Sequence, residues 1–242
     1  MVVMTEEPLT GGNNAMEVVR VGDTVRRARD AGAAFAARVL AQLESAGYPH
    51  APRHLGIDER GRDILSFVPG TTTDHPARRA PGAYAAGGRM LRELHEATAG
   101  HALAAGRECV IHGDPGPFNT IFRQGLPVAF IDWSSCRPGG RLEDLGYMAW
   151  TWCILSQGRV PPVEQARHLR ELRDGYGAVE TVLLLDAMER AQSRIVDAET
   201  ANVDDPTLAP TRRRHAEAAV AWATADRAFV RRHRALLLHA LR

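Results

Sequence analysis

Residues 112–119 read His-Gly-Asp-Pro-Gly-Pro-Phe-Asn, and residues 131–133 read Ile-Asp-Trp. Apolar residues directly precede each polar group, so each stretch is predicted to follow a short strand. Two neighbouring strand ends can hold polar side chains around one point. We therefore expect Asp114, Asn119 and Asp132 to lie close together.

Two carboxylates and an amide in this order suit phosphoryl transfer, where catalysis is mostly positioning and neutralisation of charge on the transferred group. Mg²⁺ prefers oxygen ligands, which Asn119 and Asp132 offer. Asp114 is then the group that accepts the proton of an attacking hydroxyl. The protein-kinase pattern H-R-D-x-x-x-x-N followed by D-F-G has the same Asp-to-Asn step. Here Gly113 stands in place of the Arg.

Each residue also has a plainer interpretation when it is taken alone. Asp114 could be a turn residue beside Pro115, Asn119 a helix cap, and Asp132 a turn former at a strand end. Their joint spacing favours the catalytic interpretation. His112 is predicted to orient the loop rather than to act as a base.

At these residues the chain resembles the aminoglycoside phosphotransferase family, whose signature is H-G-D-x-x-x-x-N with a downstream I-D-W or I-D-F. Looser matches occur at residues 9–12, 67–70, 90–95, 138–139 and 143–146. The resemblance implies an α+β, two-lobed, protein-kinase-like fold. Residues 1–69 would form a small N-terminal sheet lobe that covers the nucleotide, and residues 70–242 a mainly helical C-terminal lobe for catalysis and acceptor binding.

The resemblance also implies a nucleotide site with ATP or GTP as co-substrate. Gly11 and Gly12 would form a turn whose backbone N–H groups approach the phosphates. Ser66, Phe67 and Val68 would offer backbone hydrogen bonds to the base. The predicted reaction moves the γ-phosphoryl group to a hydroxyl of a small molecule, for which an aminoglycoside or another antibiotic is a natural candidate.

All 30 basic residues are arginine, so the strand lysine that kinases place on the phosphates is absent. Arg27 is the predicted substitute, with Arg26 next to it. The helix that often supplies a partner Glu offers Ala36 or Ala37, with Glu44 further along. Two hypotheses follow: a phosphate clamp rebuilt around arginine, or a weakened nucleotide site in a nucleotide-binding pseudoenzyme.

The acceptor is less well defined. Acidic residues that could receive a polycation occur at Asp186, Glu189, Asp197 and Glu199, although a solvated helix face is the commoner explanation. Choline, sugar and amino-alcohol kinases share the same scaffold, so they remain alternatives. Asp144 is predicted to cap the helix that starts near it.

Charge is balanced, with 30 basic and 29 acidic residues among 242, which gives no global sign of a nucleic-acid or membrane partner. The arginine clusters at 212–214 and 231–234 are predicted to be solvated helix faces. Residues 1–14 lack the basic start and apolar core of a signal peptide. Three cysteines without C-x-x-C spacing indicate reduced thiols and a cytoplasmic location. The sequence leaves the oligomeric state open.

Overall fold

The computed structural model describes residues 5–9, 18–73, 75–177 and 179–241. Within these ranges the chain forms nine strands and seven α-helices. An antiparallel sheet comes first, and a mostly helical region follows, as predicted.

The first sheet has five antiparallel strands in the order β1-β2-β3-β5-β4. Their bounds are β1 Glu7–Pro8, β2 Val18–Val21, β3 Thr24–Arg27, β4 His54–Ile57 and β5 Asp63–Ser66. A two-residue turn at Gly22 and Asp23 joins β2 to β3, and Gly22 takes the positive φ of 59° that such a turn favours.

Helix α1, Ala33–Ser45, packs against this sheet. Val39, Leu40 and Leu43 are buried and lie on one helix face, because positions three and four apart are neighbours on a helix. The helix ends before Gly47, which has the left-handed φ of 73° that is common directly after a helix. The apolar spacing of Phe35, Val39, Leu40 and Leu43 predicts a helix over 33–46 that ends before Gly47, which agrees with the structure.

Two short antiparallel strand pairs follow, β6 with β9 and β7 with β8. Their bounds are β6 Cys109–Ile111, β7 Thr120–Arg123, β8 Leu126–Phe130 and β9 Arg137–Gly139. The helices are α2 Ala83–Thr98, α3 Arg141–Cys153, α4 Pro162–Tyr176, α5 Thr181–Asp204, α6 Pro210–Arg232 and α7 Arg234–Ala240.

Helix α3 lies at the centre of the helical region, between α4 and α5. Its Trp150 and Trp152 are among the largest fully buried side chains of the described residues. Helices α2 and α4 approach closely enough that a Cβ on Gly88 would lie 2.2 Å from the Leu172 carbonyl oxygen. Helix α2 also contacts β6 and β8, the strands that precede the loops of Asp114 and Asp132.

The sequence pattern predicts one long final helix over 212–241, but the structure has two helices there, so this prediction is wrong. The helix breaks at His233, whose φ of −101° and ψ of 12° are not helical. The His233 ring packs against Phe229 at 4.5 Å between ring centroids. The break turns Arg234 toward α5, where it forms ion pairs with Asp186 at 2.6 Å and Glu189 at 2.9 Å.

No helix among the described ranges is both long and apolar enough to cross a bilayer. The three cysteines, Cys109, Cys136 and Cys153, are buried free thiols. Burial raises the pKa of Cys109 and Cys136 to about 12, so these thiols are protonated and unreactive at neutral pH.

Candidate active site

The loop that carries Asp114 begins where β6 ends and lies directly against residues 133–135. Gly113 has a φ of 84°, and a Cβ there would lie 2.3 Å from the Ser135 carbonyl oxygen. A side chain at this position would therefore meet both a strained backbone and a steric clash. This explains why the position that is Arg in the protein-kinase pattern is Gly here.

Asp144 fixes the position of this loop through hydrogen bonds to its backbone. Its buried carboxylate accepts the backbone N–H of His112 at 2.6 Å and that of Gly113 at 2.8 Å. His95 Nε2 lies 3.2 Å from the same carboxylate. Burial opposes the ionisation of Asp144, but the hydrogen bond from His95 and the neighbouring donors hold its pKa below the usual value.

The prediction that Asp144 caps a helix is therefore wrong. Glu143 makes the reciprocal contacts at the start of α3: its Oε1 accepts the Gly140 N–H at 3.0 Å, and its own N–H donates to the Gly140 carbonyl at 2.9 Å. With Glu143 at the helix start, Asp144 points into the core and binds the loop. Asp144 and Leu145 lie in a stretch that resembles the family, but residue spacing did not predict that Asp144 binds the N–H groups of His112 and Gly113.

His112 takes part in the same arrangement. Its ring Nε2 contacts the Ile131 carbonyl at 3.1 Å, and its Nδ1 accepts the Asp114 N–H at 3.3 Å. Burial lowers the pKa of His112, which favours the neutral ring that these two contacts require. Both nitrogens are used within the protein, which supports a structural role rather than that of a base.

Asp114 is mostly buried, and its Oδ1 atom has no hydrogen-bond partner among the described residues. Burial raises the pKa of Asp114 to about 6, and the nearby Tyr147 hydroxyl and Asn119 amide act in the opposite direction. Such a carboxylate has a free oxygen and a proton affinity close to the operating pH. Both properties suit a general base.

Asn119 and Asp132 flank the β7–β8 hairpin. The Ile131 N–H donates to the Asn119 carbonyl at 2.9 Å, which joins the two ends of the hairpin. The Asn119 amide nitrogen donates to the Asp114 carbonyl at 3.2 Å. With that nitrogen engaged, the side-chain oxygen of Asn119 is the atom left for a cation.

Asp132 has the left-handed φ of 60° that Asp tolerates better than most residues, and it accepts the Ser134 hydroxyl at 2.7 Å. Although burial raises its pKa, the Arg27 charge and the Ser134 bonds lower it below the usual value. Asp132 is therefore an anion, and its carboxylate and the amide oxygen of Asn119 are the types of ligand that Mg²⁺ prefers. The described residues contain no group of three or more His, Cys, Asp or Glu that could hold a metal ion, but Mg²⁺ shared with phosphates needs only one or two protein ligands.

Arg27 is the arginine that reaches the site. Its Nη2 lies 2.7 Å from Asp132 Oδ1. Side chains alternate along a strand, so Arg26 points to the other face, where it contacts Asp58 at 3.7 Å and the Thr24 hydroxyl. Of the two candidates for the missing lysine, the structure places Arg27 at the site and Arg26 away from it.

No glutamate joins Arg27 from helix α1. Ala36 and Ala37 line a cavity together with Arg27, beside Trp133. Glu44 lies further along the helix and pairs with Arg53 at 2.6 Å. The ion pair from Arg27 therefore goes to the second carboxylate of the site instead of to a helix glutamate.

The segment after β5 holds the residues predicted to contact the base. The Ser66 and Phe67 N–H groups donate to the Arg53 and Asp23 carbonyls, each at 2.9 Å. Among the described residues the Val68 N–H has no such acceptor. Gly11 and Gly12, the predicted phosphate turn, lie outside the described residues, in the connection between β1 and β2.

The sequence reasoning missed Tyr147, His95 as the partner of Asp144, and Trp152. Tyr147 follows Asp144 by three positions, so both side chains project from one side of α3 toward the loop. The Trp152 indole N–H donates to the Pro115 carbonyl at 3.0 Å, directly after Asp114. The helical spacing of Asp144 and Tyr147 was available as a signal, but His95 lies 49 residues before its partner Asp144, and Trp152 binds a backbone carbonyl that carries no sequence signature.

Comparison with known proteins agrees with this geometry. The sequence model of the phosphotransferase enzyme family matches residues 99–181, which include the whole Asp114 loop and Asp132. The trifolitoxin immunity protein of Rhizobium leguminosarum bv. trifolii is 31% identical over 267 aligned positions, which cover 96% of this chain and 97% of that protein.

Solved structures share the fold at lower identity. A choline/ethanolamine kinase family protein from Mesorhizobium loti has a TM-score of 0.64 at 22% identity, covering 99% of this chain and 93% of its own. A macrolide 2′-phosphotransferase from Brachybacterium faecium has a TM-score of 0.61 at 17% identity, with 89% and 91% covered. An aminoglycoside phosphotransferase from Streptomyces rimosus, in complex with ADP and streptomycin, has a TM-score of 0.52 at 19% identity, with 76% and 92% covered.

The full-length relative and the match of the family model over the catalytic loop lead to one conclusion: the chain belongs to the phosphotransferase enzyme family, with the protein-kinase-like fold of the aminoglycoside phosphotransferases.

Proposed function

We propose that this protein transfers the γ-phosphoryl group of ATP or GTP to a hydroxyl of a small molecule. The observation that carries the proposal is the buried Asp114 carboxylate, which has an unpartnered oxygen on a loop shared with Asn119 and close to Asp132. The acceptor oxygen forms the new bond to phosphorus as its proton passes to Asp114. The bond from phosphorus to the leaving nucleoside diphosphate breaks in the same transfer.

Asn119 and Asp132 would hold Mg²⁺. When bound, the ion would neutralise charge on the phosphates as the leaving diphosphate departs. Arg27 would bind the phosphates with its planar guanidinium, which can donate two parallel hydrogen bonds. To do so it must share or release its bond to Asp132. The Gly11-Gly12 segment would cover the phosphates, and the backbone of Ser66, Phe67 and Val68 would contact the base, with the Val68 N–H as the available donor.

A role in resistance to a toxin or antibiotic is the natural extension. The relative that matches nearly the whole chain is named an immunity protein against trifolitoxin. Several structures of the same fold are antibiotic phosphotransferases by name. We propose that the acceptor is a hydroxylated toxin or antibiotic that reaches the cytoplasm, where nucleoside triphosphates are present.

A nucleotide-binding pseudoenzyme is the second candidate, and one observation favours it. Arg27 forms an ion pair with the carboxylate that a metal ion would need. If that pair persists when nucleotide is present, Mg²⁺ lacks one of its two protein ligands. The intact set of Asp114, Asn119 and Asp132 favours the enzyme.

The test is release of nucleoside diphosphate from Mg-ATP and Mg-GTP, with and without a panel of hydroxylated antibiotics. Asp114→Asn keeps the size of the side chain and removes the base, so turnover should fall by roughly 10²–10⁴-fold while nucleotide binding persists. Asp204→Asn, the same change at the exposed C-terminal end of α5, is the matched control and should keep wild-type turnover. Equal rates for wild type and Asp114→Asn would contradict the enzyme and favour the pseudoenzyme.

A further inference from the structure

A second cavity opens on the side of the catalytic loop away from the Ala36–Ala37 cavity. It lies between β9, α3 and α5, and its lining includes Gly113, Arg137, Glu143, Tyr147 and Arg194. The cavity shares none of its lining residues with the one beside Arg27. It is therefore a separate space with its own chemistry.

This cavity borders the loop of the proposed base, although Asp114 itself does not line it. Gly113 is the residue before Asp114, and the Tyr147 hydroxyl lies near enough to the Asp114 carboxyl to lower its pKa. A molecule seated against Tyr147 would reach Asp114 with a hydroxyl at one end. Its other end would lie toward α5, where Arg194 and Ile195 line the cavity.

The formal charges that line the cavity balance, with Arg137 and Arg194 against Glu143 and Asp144, but both acids are engaged within the protein. Glu143 has both carboxylate oxygens engaged, one by the Gly140 N–H and the other by Arg137 at 2.9 Å, and Arg107 lies 3.7 Å from the same carboxylate. The Asp144 carboxylate is buried and bound to the loop N–H groups. Neither acid has an oxygen left for a cationic ligand.

Arg194 adds a cation without a partner. Its side chain is exposed, and within the described ranges it makes no hydrogen bond and no ion pair. Its neighbour Glu143 is already shared between Arg137 and a helix N–H. An exposed arginine without a partner can bind the carboxylate of a ligand, because its planar guanidinium group can donate a hydrogen bond to each of the two carboxylate oxygens.

Three of the four acids of α5 that a polycationic acceptor could use are paired within the protein. Asp186 and Glu189 pair with Arg234, and Glu189 also contacts Arg231 at 3.1 Å. Glu199 pairs with Arg212 at 2.8 Å. The fourth acid, Asp197, is exposed and makes no ion pair within the described ranges. The arginine clusters of α6 and α7 therefore neutralise most of the acidic face of α5, which leaves little charge to bind an aminoglycoside.

We propose that the phosphoryl acceptor carries a carboxylate, which Arg194 binds while the hydroxyl of the same molecule reaches Asp114. This inference rests on the proposed phosphotransferase activity and names the chemical class of its acceptor: a small hydroxy acid, or a larger compound with that grouping. Tyr147 would pack between the two ends of the ligand. A neutral or polycationic compound would leave Arg194 without a partner.

The experiment compares matched acceptors. Gluconate, N-acetylhomoserine and pantothenate are each paired with a neutral counterpart: gluconamide, N-acetylhomoserinamide and panthenol. Kanamycin serves as the polycation. Release of nucleoside diphosphate is measured for each compound with Mg-ATP and Mg-GTP, and formation of the phosphorylated product is checked by mass spectrometry. At least one acid should be turned over roughly tenfold or more better than its neutral counterpart.

The variants assign that preference to one residue. Arg194→Gln should raise the KM of the preferred acid by roughly 10–100-fold with a smaller change in kcat, and Arg194→Lys should restore part of the loss. Arg214→Gln removes an exposed arginine of α6 that does not line the cavity and should change neither constant.

Two results would overturn the inference while leaving the proposed function in place. One is that kanamycin or the neutral compounds are the preferred acceptors, or that no acid is turned over. The other is that Arg194→Gln leaves the KM of the preferred acid unchanged. Nucleotide binding and slow hydrolysis that depends on Asp114, measured on the same samples, test the phosphotransferase itself. Loss of those two signals in the wild type would overturn both proposals together.

Discussion

Arg27 Nη2 and Asp132 Oδ1 are 2.7 Å apart, so the cation of β3 and the anion after β8 are joined across the site. In this chain without lysine, one arginine neutralises the carboxylate that is proposed to hold Mg²⁺. Entry of a metal–nucleotide complex would replace that pair with two contacts: metal to Asp132 and phosphate to Arg27. The site is thus expected to exchange one ion pair for another rather than to desolvate two unpaired charges.

Arg27→Met should weaken nucleotide binding. A hydrogen bond between charged partners contributes about 1.5–3 kcal/mol, which corresponds to roughly 10–100-fold in affinity. Arg27→Lys keeps the charge but loses the bidentate geometry, so its loss should be smaller. Titration with Mg-ATP and Mg-GTP checks both variants. Arg26→Met, on the opposite face of the strand, is the matched control, and an equal loss there would contradict the assignment of Arg27.

Activity should depend on the ionisation of Asp114. Its pKa is raised to about 6 by burial, and only the ionised carboxylate accepts a proton. The value of kcat/KM should therefore rise about tenfold per pH unit below pH 6 and become constant above it. The measurement is a pH profile at fixed metal and nucleotide. A flat profile from pH 5 to pH 8 would contradict the assignment of Asp114 as the base.

The same group has a consequence for stability. Because the folded state binds the Asp114 proton more tightly than the unfolded state does, stability falls as the pH rises from about 4 to about 6. At pH 7, Asp114→Asn should therefore be more stable than the wild type by roughly 1–3 kcal/mol, and the difference should shrink toward pH 4. Urea unfolding at pH 4, 5.5 and 7 measures this. Asp204→Asn should change stability by no more than about 0.5 kcal/mol at each pH.

Tyr147→Phe removes one hydroxyl beside the base. That hydroxyl stabilises the ionised form of Asp114, so its loss should raise the Asp114 pKa further. The acid limb of the kcat/KM profile should move to higher pH, while rates well above the new pKa change less. A variant that lowers activity equally at every pH would show that Tyr147 acts only by packing.

The sequence was sufficient to predict that site residues close to each other in the chain would also lie close together in space. Spacing predicted that Asp114, Asn119 and Asp132 meet, and the hairpin brings Asn119 and Asp132 to its two ends. Strand alternation would also have separated Arg27 from Arg26, since adjacent residues face opposite sides. These are local rules, and they hold because the elements are regular.

The remaining features depend on contacts between distant segments. Asp144 binds N–H groups 31 and 32 residues away, which no local periodicity reveals. The helical pattern continues through His233, so the sequence did not predict the helix break there. The break accompanies the ion pairs of Arg234 with Asp186 and Glu189 of α5, which are contacts between distant segments. Long-range pairing of this kind is fixed by packing, and packing is not visible in one sequence.

Asp144→Asn should show how much of the site depends on such a contact. An amide can accept only through its oxygen, so one of the two loop N–H groups loses its acceptor and the buried His95 contact is weakened. Breaking a buried charged network by changing one partner costs about 3–5 kcal/mol. Unlike Asp114→Asn, this variant should be less stable than the wild type at pH 7. Urea unfolding of the two variants side by side checks the opposite signs.

Gly113→Ala tests the close approach of the loop to residues 133–135. The added Cβ would meet the Ser135 carbonyl at 2.3 Å in a residue with a φ of 84°. Gly47→Ala is the matched control, because Gly47 has a similar φ of 73° but no atom within 4 Å of the added Cβ. The conformational cost of about 1–2 kcal/mol is common to both variants, so any greater loss of stability in Gly113→Ala reports the clash alone.

We expect Gly113→Ala to lose turnover as well, since the loop must move and Asp114 moves with it, whereas Gly47→Ala should keep its activity. Equal stability and equal turnover in the two variants would show that the loop tolerates displacement and that its contact with Ser135 does not position the base.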